Sequence, residues 1–257
     1  MPASPTAADI LAKCAEAYAS CRTYEDSGEV HSVIIRGPKS SERHTQRQRF
    51  RTAFERPDRF LFDYREMSIG PEEEWPGGLA CSSDGRLRFW CSYEASVPPS
   101  DLDHALAALT GISCGTASFI PKLLGVGSAR GPLPEASTSE LLGEVSLEGL
   151  ACYRIRGKRW ADRTVDLWIE CATGLVRRAV SSEEFNAESR RRMRETMVRH
   201  LEAMPEDDPH RAMMQLAMED LGKQQSMDFA TETTIAFQPF TDRPINPAVF
   251  EVSAPKA

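Results

Sequence analysis

The chain has 257 residues, and no run in it approaches 18 apolar residues, which excludes a membrane-spanning helix. It has no CxxC pair and no Cys/His ligand spacing, so a structural zinc site is not expected. No P-loop, HExxH or calcium-loop pattern occurs. Histidine is scarce: the five residues at 31, 44, 104, 200 and 210 make no constellation. Positive charge is in deficit, 31 Lys+Arg against 38 Asp+Glu, a net −7. A general nucleic-acid binder needs a basic footprint, so that class is excluded. The first residues, MPASPTAADILAKCAEAYA, lack the basic start and apolar core of a signal peptide. The expectation is either a cytoplasmic protein or one written from after a removed signal.

Seven cysteines is an odd number, so at least one is free or pairs with another chain. Cys14 and Cys21 are seven apart on an expected helix, a rise of roughly 10 Å, too far to bridge. Cys81 and Cys91 flank a hairpin whose Asp84-Gly85 turn does not set them opposite each other. Cys152 and Cys171 fall on strands that would be neighbours, in a register left open. Small buried hydrophobes are the expected role for these thiols.

What the chain does have is alternation. In RTAFERPDRFLFDYRE, Phe50, Thr52 and Phe54 share one parity, and Phe60, Phe62 and Tyr64 continue it beyond an Arg-Pro-Asp corner. Arg49, Arg51, Asp63 and Arg65 take the other. Successive strand residues point to opposite faces, so this predicts two strands with one aromatic and one charged face. The Asp-Gly of CSSDGRLRFWCSY predicts a hairpin whose second arm sets Leu87 and Phe89 on one side. Val165, Leu167 and Ile169 alternate with Asp166, Trp168 and Glu170, again one apolar and one wet face. Strands are expected at about 26–36, 44–54, 59–66, 139–147, 151–157, 164–171, 175–182 and 227–238.

Between the strands the period is helical. Residues 6–22 carry a Thr6/Asp9 capping box and an Ile10, Cys14, Tyr18, Cys21 stripe. SDLDHALAALTG predicts a helix with Ser100 as N-cap, Leu102, Leu106 and Leu109 on one face and Gly111 as its stop. TASFIPKLLG predicts a second, short apolar helix bearing Ile120, Leu123 and Leu124. SARGPLPEAST reads as a loop. Residues 185–224 are charged and helical. Met193, Met197, Leu201 and Met204 make one stripe; Met214, Met218 and Leu221 make another, with Asp208 as N-cap, Pro209 first in the helix and Gly222 as stop. Seven of the nine methionines (193, 197, 204, 213, 214, 218 and 227) lie here. The expectation is an antiparallel helical hairpin inserted between two strands.

Two motifs touch on chemistry. GISCG, residues 111–115, fits G-x-S-x-G, but a nucleophile elbow needs a strand before the serine. HALAALT reads as helix, so a serine hydrolase at Ser113 is the weakest of three functional readings. GVGSARG, residues 125–131, follows no strand and opens no clear helix, both of which a dinucleotide fingerprint requires.

The order of these segments resembles the LolA/LolB-like lipoprotein-carrier superfamily, above all its outer membrane lipoprotein-sorting relatives. The segments are the N-terminal helix, RTAFERPDRFLFDY, SSDGRLRFW, ALAALTGISCGTASFIPKLL, LLGEVSLEGLACYRIRGK, RTVDLWIECATGLVRRAV and FQPFTDRPINPAVFEVSAP. The likeness covers most of residues 7–184 and 227–255. It implies an α+β fold: a strongly curved antiparallel β half-barrel of about 10–11 strands, helices plugging the concave face, in one domain over 1–257 that carries the 185–224 hairpin. It implies no enzyme activity, metal or cofactor, and a location in the periplasm or cell envelope. The ligand it implies is a lipid or the acyl chains of lipoproteins.

On that reading the apolar lining is Phe50, Phe54, Phe60, Phe62 and Tyr64, then Leu87 and Phe89, with Val165, Leu167 and Ile169 further round. The plug is Leu102, Leu106, Leu109, Ile120, Leu123 and Leu124. Met193, Met197, Leu201, Met214 and Met218 would form a lid. The arginines at 190, 191, 192, 194 and 199 would meet a protein partner or an anionic membrane surface. The alternative reading is a protein-interaction or sensor module on the same half-barrel.

Overall fold

The computed structural model describes residues 4–36, 42–93, 98–126, 133–158, 163–206, 208, 210–223 and 228–252. Helix α1 (Ala7–Ser20) leads into five strands: β1 (Thr23–Arg36), β2 (Arg43–Glu55), β3 (Arg59–Glu66), β4 (Gly77–Ser83) and β5 (Arg86–Cys91). Helices α2 (Leu102–Ile112) and α3 (Thr116–Leu123) follow. Then come β6 (Glu140–Leu147), β7 (Leu150–Lys158), β8 (Thr164–Glu170) and β9 (Val176–Phe185). Helices α4 (Ala187–Ala203) and α5 (His210–Lys223) precede β10 (Phe229–Phe237) and the short β11 (Phe240–Thr241).

The strands form one antiparallel 11-stranded sheet in the order β5-β4-β3-β2-β1-β10-β9-β8-β7-β6, with β11 beside β1. It is not closed: β5 and β6 are its two edges. The fold is α+β and consistent with a curved half-barrel. This connectivity decides where the helices go. The chain leaves the sheet at one edge, β5, and re-enters at the other, β6, so α2 and α3 must cross a face. Strands β9 and β10 are direct neighbours, so α4 and α5 form an arm beyond their ends, where the Phe185 and Phe229 rings stack at 4.8 Å.

The register follows the alternation. Phe54 lies opposite Phe60, Thr52 opposite Phe62 and Phe50 opposite Tyr64, all on the core face. The Thr6/Asp9 capping box forms, and Ile10, Cys14 and Tyr18 are buried. Asp84 and Gly85 take the positive φ values, 54° and 70°, that a tight hairpin demands.

Three local expectations are corrected. The N-cap of α2 is Asp101, whose carboxylate accepts the His104 N–H at 2.9 Å; Ser100 instead donates to Asp101. Gly111 does not stop α2, which runs to Ile112; the break comes at Cys114 and Gly115, with φ of 51° and 87°. Helix α5 continues through Lys223, past Gly222. Pro209, Met227 and residues 127–132 of the loop lie outside the described residues, as do the side chains of Met213 and Leu221. Asp101→Ala is expected to cost about 1 kcal/mol of stability and Ser100→Ala a few tenths, measured by urea unfolding. The reverse order would restore Ser100 as the cap.

The second face of the sheet is not simply wet. Ala53, Leu61, Leu79 and Cys81 are buried beneath the C-terminal segment, chiefly Ile245 and Phe250. The Phe250 carbonyl accepts from Cys81 Sγ and Arg88 Nη1, each at 3.4 Å, and Arg59 lies over its ring. On β8 the Asp166 carboxylate is buried between Arg154 and Arg156, and Glu170 is held by Arg177 and Thr173. The Arg154 and Arg178 guanidiniums lie by the Trp168 ring, at 4.9 and 5.9 Å.

Candidate functional site: an aromatic sheet face under two helices

The site is built on the parity of β2 and β3. Phe50, Phe54, Phe60, Phe62 and Tyr64 are buried on one face, and Val165, Leu167 and Ile169 of β8 belong to the same continuous cluster. Leu87 and Phe89 on edge strand β5 are only partly buried and pack against it. Helices α1, α2 and α3 cover this face with Ile10, Cys14, Tyr18, Leu106, Leu109, Ile120, Leu123 and Leu124; Leu102 packs at the margin. Phe119 of α3, which the alternation-based reading passed over, is 1% exposed, its ring 5.4 Å from that of Phe237. Gly78 on β4 lets α2 approach: a Cβ there would lie 2.6 Å from Leu109 Cδ2.

The arm is separate. No residue of α4 or α5 belongs to the described cluster over the aromatic face. Met193, Met197, Leu201, Met214 and Met218 are half-buried, α4 and α5 contact each other, and α4 touches β9. Arg190 pairs with Asp228 at 3.0 Å, and Arg191 with Glu188 at 2.9 Å.

Among the described residues, three polar ties join the α2–α3 segment to the strands and the β2–β3 turn. Gln48 Nε2 donates to the Ile112 carbonyl at 2.7 Å, Arg56 Nη2 to the Leu124 carbonyl at 3.3 Å, and Cys114 Sγ to Gln46 at 3.8 Å. Beneath them three buried polar atoms have no hydrogen-bond partner: Gln48 Oε1, Thr52 Oγ1 and Tyr64 OH. Each such orphan costs about 1–3 kcal/mol of desolvation. Gln48 and Thr52 share parity with Phe50 and Phe54; a polar residue on an otherwise aromatic strand face was the signal available in the sequence.

A second polar system lies deeper. Asp26, 3% exposed, accepts the Gln238 N–H at 2.9 Å and bonds the Tyr24 hydroxyl at 3.0 Å. Tyr24 packs on Tyr18, whose hydroxyl accepts the Val176 N–H at 3.1 Å. Burial raises the Asp26 carboxyl to about 7, against the opposing Gln238, Tyr24 and Arg177 effects. No sequence pattern pointed to this aspartate.

Nucleophile chemistry finds no support at Ser113. The residue is fully buried between α2 and α3, with no strand before it, and its Oγ accepts the Ala117 N–H at 3.1 Å. Burial pushes the Cys14 thiol up to about 12 and raises Cys21, Cys81, Cys114 and Cys152, so these thiols stay protonated. All seven cysteines are free. Among the described residues no group of three His, Cys, Asp or Glu is placed to hold a metal, and no helix is long and apolar enough to cross a membrane.

No protein-family model matches the sequence, and no curated protein matches it. Solved structures do. In the complex of Pseudomonas aeruginosa MucA/MucB, the match is 14% identical with a TM-score of 0.41; it covers 96% of this chain and 61% of that one. The present chain thus spans under two thirds of that relative's length. A putative outer membrane lipoprotein-sorting protein domain from Vibrio parahaemolyticus is 7% identical over 95% of each chain, TM-score 0.29. A LolA superfamily protein from Nitrosomonas europaea is 12% identical over 96% of this chain and 98% of that one, TM-score 0.29. LolA superfamily and lipoprotein-sorting structures are therefore among those this chain is similar to, at low sequence identity.

Proposed function

We propose that the protein is a non-enzymatic carrier for a lipid or for the acyl chains of lipoproteins in the bacterial cell envelope. The groove is the apolar face of β2, β3, β5 and β8, and α2 and α3 occupy it when no ligand is bound. The observation that carries this reading is the unequal binding of those helices. Their described contacts are mostly apolar, with Gln48 Nε2 bonded to the Ile112 carbonyl, while Gln48 Oε1, Thr52 Oγ1 and Tyr64 OH have no hydrogen-bond partner. An apolar surface with a few convergent polar groups is the usual make-up of a ligand site. A long acyl chain laid on that face would gain on the order of 10 kcal/mol at about 0.8 kcal/mol per CH₂, enough to compete with two short helices.

The test is titration with a fluorescent fatty acid, read together with hydrogen exchange. Saturable binding with faster exchange across residues 102–124 is expected. Absence of saturable binding, with those amides equally protected, would sink the carrier. The protein-interaction reading keeps one observation of its own: α4 buries no residue, and Leu216 on α5 is 62% exposed. Replacing residues 186–222 by a short Gly-Ser bridge separates the two. Fatty-acid binding survives the deletion if the groove alone is the site.

A further inference from the structure

A hollow of about 450 Å³ opens on the charged face of the sheet, with Gly28 and Phe50 of the aromatic face also reaching its lining. The strand register builds its floor as a grid. One row is Ser27, Arg51 and Asp63; the next is Glu29, Arg49 and Arg65; each set sits side by side on β1, β2 and β3. Glu72 and Gln238 complete the wall. The charged lining is three arginines and three carboxylates, neutral as a whole.

The charges are not equally used. Arg49 is partnered twice, by Glu29 at 3.3 Å and Glu72 at 3.7 Å. Its cross-strand neighbour Arg65 has the same sign, an arrangement that costs stability by itself. The Arg65 guanidinium lies 4.8 Å over the Trp90 ring, which fixes its plane. Its Nη1 is buried and has no hydrogen-bond partner. Arg51 makes no hydrogen bond or ion pair among the described residues. Asp63 Oδ1 is ion-paired with Arg65 Nε at 3.3 Å, but it is buried and accepts no hydrogen bond. The hollow therefore sets Arg51, which has no ion pair among the described residues, beside an Arg65–Asp63 pair whose hydrogen bonding is incomplete.

We propose that this hollow binds a small zwitterion of the amino-acid class, its carboxylate between Arg51 and Arg65 and its ammonium on Asp63. A bare anion would satisfy the guanidiniums and stand against Asp63. A bare cation would do the reverse. Only a ligand carrying both charges a few bonds apart can meet the guanidiniums and the carboxyl together, and its own neutrality matches that of the lining. The volume is several times that of the ammonium-carboxylate unit, so the side chain of the amino acid has room toward Ser27 and Gln238.

The test is titration of the isotopically labelled full chain with L-alanine, acetate and methylammonium, followed by amide shifts. L-alanine is expected to bind at least about tenfold more tightly than either single charge, with shifts centred on Ser27, Glu29 and Arg51. Asp63→Asn is expected to reduce L-alanine to the level of acetate. Arg51→Met, on an exposed side chain that leaves the fold intact, is expected to weaken both. Acetate binding as tightly as L-alanine would mark a simple anion patch and overturn the proposal. So would shifts that map elsewhere, or no saturable shift with any probe.

Discussion

Phe119→Ala is expected to lower folding stability by about 3–5 kcal/mol, the range for deleting a fully buried phenylalanine from a core that collapses only in part. Phe119 projects from a helix of eight residues onto Phe237, and Phe237 in turn meets Phe50 edge-on at 5.6 Å. The side chain thus joins α3 to both β10 and β2. Urea unfolding measures the loss. The same variant bears on the proposed carrier. If α3 competes with ligand for the aromatic face, each 1.4 kcal/mol removed from its docking tightens ligand binding by up to tenfold. Variant protein that is less stable yet binds a fluorescent fatty acid more tightly is the expected pair of results. A loss below about 1 kcal/mol would show that α3 is not part of the core. A large loss with unchanged fatty-acid affinity would show that α3 and ligand do not share a site.

The second large effect is a pH dependence set at Asp26. Its carboxyl is raised from 3.8 to about 7 by burial, so the native state holds a proton that the unfolded chain has released. The stability tied to that proton is fully present below about pH 4, declines as pH rises, and is gone above about pH 7. A shift of about three units corresponds to about 4 kcal/mol, as an order of magnitude. Asp166, Glu170 and Asp101 are lowered by their arginine, threonine and backbone partners and pull the other way in acid, so the whole-protein profile mixes both signs. Asp26→Asn isolates the one group. The amide mimics the protonated carboxyl toward Tyr24 and Gln238, so the variant is expected to be the more stable at pH 8, by about 2–4 kcal/mol, and to lose that advantage toward pH 4. Parallel unfolding profiles for the two proteins from pH 4 to pH 8 would show that Asp26 is not the source.

Much of the fold was legible because it is written in period and punctuation. The two-residue alternation from Phe50 to Tyr64 assigns a face to every side chain once one face is buried. Asp84-Gly85 and Thr6/Asp9 act through their own backbones, so a turn and a helix start could be read without knowing what packs on them. Asp101 against Ser100 shows the limit of such reading. Both residues are good caps, and the choice depends on where the first helical turn forms. The second face of the sheet was misjudged for a different reason. Ala53, Leu61, Leu79 and Cys81 are too few and too scattered to outweigh Arg51, Asp63 and Arg65, and only a tail more than 160 residues away shows why they are apolar.

What the sequence determined by itself is the set of elements and their sidedness: strands with an aromatic face, apolar helices of matching character, and a charged two-helix arm. Local hydrogen bonding and hydrophobic period are sufficient for that. The tertiary structure decided the rest. It set β5 and β6 at opposite edges, so that α2 and α3 must cross the aromatic face. It left Gln48 Oε1, Thr52 Oγ1 and Tyr64 OH without hydrogen-bond partners and buried Asp26. It also drew Arg51, Arg65 and Asp63 into one hollow. These properties depend on which distant segments are brought within a few ångströms, since desolvation and pairing are properties of contacts between residues and not of residues taken singly.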